Sequence, residues 1–280
     1  MSFKRLLTPC ALLAAALSAG QPAHASGWGL LNMTSGVTEL SHKIYSLHML
    51  IFWICVAIGI VVFGIMLYSI ATFRKSKGAI PDTKMVHNTK VEIVWTVIPV
   101  LILVAMAVPA ARTLIEIEDT RNTDLTIKVT GFQWGWQYEY LDHGVSFFSR
   151  LDRKSDEARQ LVSGIDPNSV PNYLLSVDKP LVIPNTQKVR LLITAVDVIH
   201  AWWLPAFGMK KDAIPGFINE MWIRVDKDTT GLFRGQCVEL CGRDHGFMPI
   251  VVDVRNPQDF QNWLKTSAQP AGAAAVVAQR

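Results

Sequence analysis

Two runs near the start of this chain carry no charged residue: Leu47 to Ala71 and Ile93 to Ala111. Each is long enough to cross about 30 Å of hydrocarbon as a helix. Trp53 and Tyr68 sit towards the two ends of the first run, where amphipathic rings favour the headgroup level. Pro99 lies inside the second run and predicts a kink that neighbouring helices tolerate in a membrane. The alternative is a buried hairpin of a soluble core, and two uncharged runs of this length speak against it.

A third apolar stretch precedes them. Lys4 and Arg5 are followed by an Ala-rich run from Leu6 to Ala19 and then by Ala23-His24-Ala25. That is the layout of a cleavable secretory signal, too short to span comfortably, and it points to a bacterial host. Between the two long runs, Arg74, Lys75, Lys77, Lys84 and Lys90 face one acid, Asp82. The positive-inside rule makes this loop cytoplasmic. The expected organisation is a signal peptide over 1–25 and an extracytoplasmic segment over 26–46. Spans over 47–73 and 91–111 enclose a cytoplasmic loop over 74–90. An outer domain over 112–267 and a disordered tail over 268–280 complete the chain.

Charge excludes a nucleic-acid partner. The whole chain has a formal net charge of +4. From Arg112 onward there are nineteen basic and twenty acidic residues, so the excess belongs to the leader and the loop rather than to a phosphate-binding face.

The outer domain reads as all-β. Leu125 to Thr130 alternates apolar and polar residues, and Lys188–Thr194, Glu220–Val225 and Pro249–Val254 are further strand candidates. Phe132, Trp134, Trp136, Tyr138 and Tyr140 recur at every second position, which predicts one shared strand face. Asp152 to Asn172 is polar without a clear period and reads as a long loop.

Of four cysteines, Cys10 lies in the leader and Cys55 in the first span. Cys237, Cys241, His245 and Met248 crowd into twelve residues. Two thiolates, an imidazole and a thioether form a soft donor set that suits copper. A Cys-x3-Cys disulfide is the competing reading in an oxidising compartment. Structural zinc is another, although methionine is a poor zinc ligand. A second histidine would complete the set. His200 directly follows a predicted strand, whereas His143 sits in a polar turn.

These pieces resemble subunit II of the haem–copper cytochrome c oxidases. The resemblance rests on Cys237-x-Glu239-x-Cys241-x3-His245-x2-Met248 and Asp197-x2-His200-x-Trp202-x2-Pro205. Lys210-x-Asp212-Ala213-x-Pro215-Gly216, Gln133-Trp134-x-Trp136-x-Tyr138-Glu139-Tyr140 and Glu92-x2-Trp95-Thr96-x2-Pro99 add to it. One departure is Phe217, where many relatives carry arginine.

The resemblance implies a two-helix membrane hairpin and a cupredoxin-like sandwich holding the dinuclear copper centre CuA. Cys237 and Cys241 would bridge both metals, His200 and Met248 would complete one, and His245 with the Glu239 carbonyl the other. The Glu239 carboxylate would meet magnesium at the interface with subunit I. Trp134 would accept electrons from cytochrome c, with Asp197, Glu139 and Asp142 as docking acids. Glu92 would lie near the mouth of a proton path. The partners implied are subunit I, other oxidase subunits, cytochrome c and the lipid of a bacterial inner membrane, with the copper domain on the periplasmic side. A quinol-oxidase relative would lack the copper ligands. A blue-copper site would need one cysteine, a thioredoxin-like protein a βαβ pattern, and a c-type haem a Cys-x-x-Cys-His that this sequence lacks.

Overall fold

The computed structural model describes residues 31–80 and 87–267. The expected signal peptide over 1–25, part of the 74–90 loop and the expected tail over 268–280 lie outside the described residues.

Helix α1 spans Glu39–Thr72 and α2 spans Thr89–Glu118, and both are long and apolar enough to cross a membrane. Each extends beyond its uncharged run, because local capping rather than hydropathy sets the ends. Thr38 accepts the Ser41 N–H while the Ser41 hydroxyl takes the Thr38 N–H, a reciprocal box that starts α1 eight residues before Leu47. Asn88 caps α2 by accepting from the Val91 N–H, and Glu92 reaches back to the Asn88 N–H at 3.0 Å. Pro99 and Pro109 both sit inside α2, which continues through them.

Among the described residues ten strands follow: β1 Leu125–Phe132, β2 Gly135–Tyr140, β3 Val145–Ser149, β4 Leu181–Pro184, β5 Val189–Ala195, β6 His200–Leu204, β7 Met209–Ala213, β8 Asn219–Ile223, β9 Gly231–Cys237 and β10 Pro249–Arg255. They form two five-stranded sheets, ordered β3-β2-β1-β5-β8 and β4-β10-β9-β6-β7. The β1–β5 and β4–β10 pairs are parallel and the rest antiparallel. Period-two patterning places the core between them. Leu125, Ile127 and Val129 on β1 and Val189, Leu191 and Ile193 on β5 are buried, while their neighbours Thr126, Lys128 and Arg190 are half-buried. Strand β4 is buried on both faces, because a C-terminal helix over Pro257–Ser267 lays Phe260 and Leu264, one turn apart, against β4 and β10. Trp136 and Trp202 are fully buried in the core, worth roughly 3–5 kcal/mol each against truncation.

Two sequence expectations are corrected. The five alternating aromatics do not share one strand. The chain reverses at Gln133–Trp134, where Phe132 pairs with Gly135, so only Trp136, Tyr138 and Tyr140 line the buried face of β2. The alternation runs unbroken across the turn and hides it. The polar stretch from Asp152 also holds a short helix, α3, over Arg153–Ala158, whose first turn is capped by the Asp152 carboxylate. Six residues are too few to show a helical period.

The hairpin is fastened to the sandwich by several bonds. Thr38 donates its hydroxyl to Phe207 O at 2.9 Å, and the Glu39 N–H donates to Arg224 O. His42 Nε2 lies 2.7 Å from Asp226 Oδ2, and Arg224 pairs with Glu39 at 3.0 Å. From α2, Glu118 pairs with Lys211 and Glu116 O accepts from the Trp222 indole.

Candidate metal centre

His200 opens β6 and Cys237 closes β9, two strands paired through Trp202 and Cys237. Cys241 lies in the loop that follows. His245 starts a short 3-10 turn over His245–Phe247, and Met248 directly precedes β10. Folding therefore brings a strand-borne histidine onto the end of β9 and the loop after it, which together carry four donors. The ligand atoms of His200, Cys237 and Cys241 all lie within 4.8 Å of one another, and all three residues are buried. Cys241 Sγ is 3.4 Å from both His245 Nδ1 and Met248 Sδ, and Cys237 Sγ is 3.4 Å from Glu239 O. The thiol sulfurs are 3.8 Å apart, far beyond the roughly 2.05 Å of a disulfide, and both cysteines are free.

The surroundings orient His200 tightly. Its Nε2 meets Asp197 Oδ1 at 2.9 Å, and the same carboxylate accepts the N–H groups of Gln133 and Val198 at 2.7 Å each. Trp136 packs edge-on against the imidazole with ring centres 6.0 Å apart, and its indole N–H points at Met248 O at 3.4 Å. Gly131 lies across the ring: a Cβ there would stand 2.9 Å from His200 Cδ2. Beyond the donors, Cys241 O accepts from Gln133 Nε2 at 2.9 Å and from the Trp134 indole at 3.2 Å.

Protonation of the site is uneven. Burial raises the Cys241 thiol, the Cys237 charge adds to this, and its pKa is pushed up to about 12. Burial also works against a Cys237 thiolate, but the nearby His200 imidazole and the backbone at Ala201 and Glu239 outweigh it and hold its pKa below the usual thiol range. Burial likewise opposes a charged His200, yet the neighbouring Cys237 sulfur and the Asp197 carboxylate leave its pKa above that of a free imidazole. The pair thus holds one negative charge readily and resists a second.

The donor set fits copper. Asp197 occupies one nitrogen of His200 and leaves Nδ1 buried without a hydrogen-bond partner. An orphaned imidazole nitrogen beside two unbridged thiols is costly unless a cation binds there. Magnesium and calcium prefer oxygen donors, and a thioether is a poor zinc ligand, so the mixed nitrogen–sulfur set selects a soft metal.

Comparison with known proteins agrees. Residues 125–255 match the family model of the cytochrome c oxidase subunit II periplasmic domain, and residues 25–112 match that of its transmembrane domain. The chain belongs to the cytochrome c oxidase subunit II family. A probable cytochrome c oxidase subunit 2 from Rickettsia conorii is 42% identical over 236 residues, 84% of this chain and 70% of that protein. Cytochrome c oxidase subunit 2 from Cereibacter sphaeroides is 34% identical over 286 residues, covering 95% of this chain and 92% of the relative. The solved periplasmic domain of subunit II of cytochrome oxidase from Bradyrhizobium japonicum shares 43% identity, covering 53% of this chain and 96% of that domain with a TM-score of 0.44.

As an oxidase subunit II, the chain is a membrane protein with a cupredoxin-like outer domain, one part of a larger oxidoreductase. Its other expected residues are dispersed. Trp134 is half-buried in the β1–β2 turn, bonded to the ligand loop and overlain by the Arg243 guanidinium at 5.5 Å. Of the three expected docking acids, Asp197 touches that turn but aims its carboxylate at His200. Glu139 pairs with Lys128 at 3.0 Å across β1–β2, and Asp142 is exposed in the next turn. Glu92 stands at the start of α2 as a cap. The Glu239 side chain is exposed while its carbonyl faces Cys237. Sequence reading missed Gly131 and Trp136 as walls of the histidine pocket, and Gln133 as a tie to the ligand loop. Only the two glycines flanking an aromatic turn hinted at a close approach.

Proposed function

We propose that this chain is the electron-accepting subunit of its oxidase, taking single electrons from cytochrome c at a dinuclear copper centre and passing them to haem a of subunit I. Oxygen reduction and proton translocation then belong to the assembled complex. The observation that carries this reading is the cluster of two unbridged thiols, two imidazoles and a thioether, all buried except the half-buried His245, with His200 Nδ1 left unpaired.

Cys237 and Cys241 would hold the metals as thiolates, with His200, Met248, His245 and the Glu239 carbonyl as the remaining donors. When bound, the copper pair supplies a one-electron store whose charge is spread over two metals. The protein does the rest by rigidity. Asp197 fixes the tautomer and plane of His200, and Trp136 and Gly131 wall its ring. Burial keeps water from the thiolates. Trp134 is the residue through which electrons arrive, its indole N–H bonded to the backbone carbonyl of the ligand residue Cys241. Asp197, Glu139 and Asp142 supply negative charge towards the lysine-rich face of cytochrome c, where steering speeds encounter. The Glu239 carboxylate would be the ligand for a magnesium ion at the subunit I interface, since hard cations prefer carboxylate oxygen. Glu92 lies by a proton path at the cytoplasmic end of α2. The copper domain faces the periplasm of a bacterial inner membrane, with the hairpin in lipid beside the other subunits.

The test is metal analysis and electron paramagnetic resonance of the purified oxidase, followed by anaerobic addition of ferrocytochrome c. About two coppers assignable to this chain, a multi-line signal from one electron shared by two nuclei, and its loss on reduction are expected. One copper with a simple four-line signal would replace the dinuclear reading with a mononuclear one. No copper bound to this chain would remove the function.

A further inference from the structure

The polar segment from Asp152 onward has no part in the mechanism above, yet it reaches the metal-ligand loop. We propose that α3 and the residue that follows it, Arg159, brace that loop, Arg159 being a positioning residue for His245 and Met248. The inference rests on the copper reading.

The brace is anchored at its base. Leu151 bridges to Val177, and the Asp152 N–H donates to Ser176 O. Ser155 is fully buried, its hydroxyl accepting the Leu174 N–H, and Ala158 is buried beside it. From this base Arg159 projects to the loop. Its Nε is fixed by Asp156 at 2.7 Å, its Nη1 lies 3.7 Å from Asp244 Oδ1, and its guanidinium carbon sits 4.5 Å over the Phe247 ring. Asp244 directly precedes His245, and Phe247 directly precedes Met248. One side chain therefore holds the residue ahead of each of two ligands. The loop's own bonds here are two backbone turn contacts, His245 N–H to Gly242 O at 3.2 Å and Phe247 N–H to Asp244 O at 2.9 Å, and a pairing of the exposed Arg243 guanidinium with its neighbour Asp244 at 3.4 Å. A short turn held by two such bonds opens easily, so an external clamp of an ion pair plus a stacked planar cation sets where the ligands rest.

The experiment uses the whole oxidase carrying Arg159→Ala, Asp244→Asn or both. Copper release to a chelator under reducing conditions and the copper hyperfine pattern are followed. Losing the ion pair and the stacked cation together is expected to accelerate release about tenfold in Arg159→Ala. Asp244→Asn should give roughly threefold, and the double variant should be no faster than Arg159→Ala, because both act through one clamp. The hyperfine pattern should change with Arg159→Ala. A release rate within twofold of the wild type overturns the proposal. So does multiplicative acceleration in the double variant, and so does faster release with a wild-type hyperfine pattern. If the wild-type chain takes up no copper, the copper reading fails by itself. Hydrogen exchange in the metal-free oxidase then still decides the brace: the His245 and Phe247 amides should exchange faster in Arg159→Ala, and unchanged protection overturns it.

Discussion

The two halves of the metal site are built in different ways. His200 comes from a strand and is fully buried, its ring set by Asp197 on one side and walled by Trp136 and Gly131. The other four donors run from the last residue of β9 through the loop that leads to β10, and their short contacts are mostly with one another. The histidine half is pre-set by the sandwich before any metal arrives. The loop half carries the two coupled thiols and is held from outside by Trp134, Gln133 and Arg159. A site of this kind needs one rigid wall as a reference and one segment short enough to close on the ion.

Substitutions can break that contrast. The largest effect is expected from Gly131→Ala, because the added methyl would push into the His200 ring from a strand that cannot move. Overpacking of this kind costs roughly 1–3 kcal/mol of stability. It should also lower copper affinity by about a hundredfold, as loss of a supporting contact can. Thermal unfolding and a metal competition titration check both numbers. Asp197→Ala comes next: it frees the imidazole to rotate, and copper affinity should fall about tenfold with little change in melting temperature. An affinity equal to the wild type would mean that the walls alone fix the ring. The smallest effect is expected from Glu239→Gln. The carbonyl facing Cys237 is kept and only an exposed side chain changes, so copper affinity should stay within about twofold. A larger loss would show that the carboxylate, not the backbone, serves the centre.

The same contrast decides what the sequence disclosed. The loop half was legible because its four donors sit within twelve residues, and spacing alone reveals them. His200 could be singled out only by its place after a strand. The membrane hairpin was plain, since absence of charge over such lengths has one physical meaning. What stayed hidden depends on residues far apart in the chain. Gly131 meets His200 across 69 positions, Trp134 meets Cys241 across 107, and Arg159 meets Asp244 across 85. The turn at Gln133–Trp134 was hidden for another reason: its aromatic period matched the strands on both sides, so the pattern held no mark of a reversal.

The bonds that fasten α1 and α2 to the sandwich have a consequence for distance. Thr38 is buried against Phe207, Glu39 and His42 hold the segment after β8, and Lys211 with Trp222 grips the end of α2. With no free linker between them, bilayer and metal site share one frame of reference. A tilt of the hairpin becomes a displacement of the site, as at the two ends of a lever. The gap between the site and any redox group in a subunit seated on the hairpin is then a length set by construction, and no search by a swinging domain is needed to reach it.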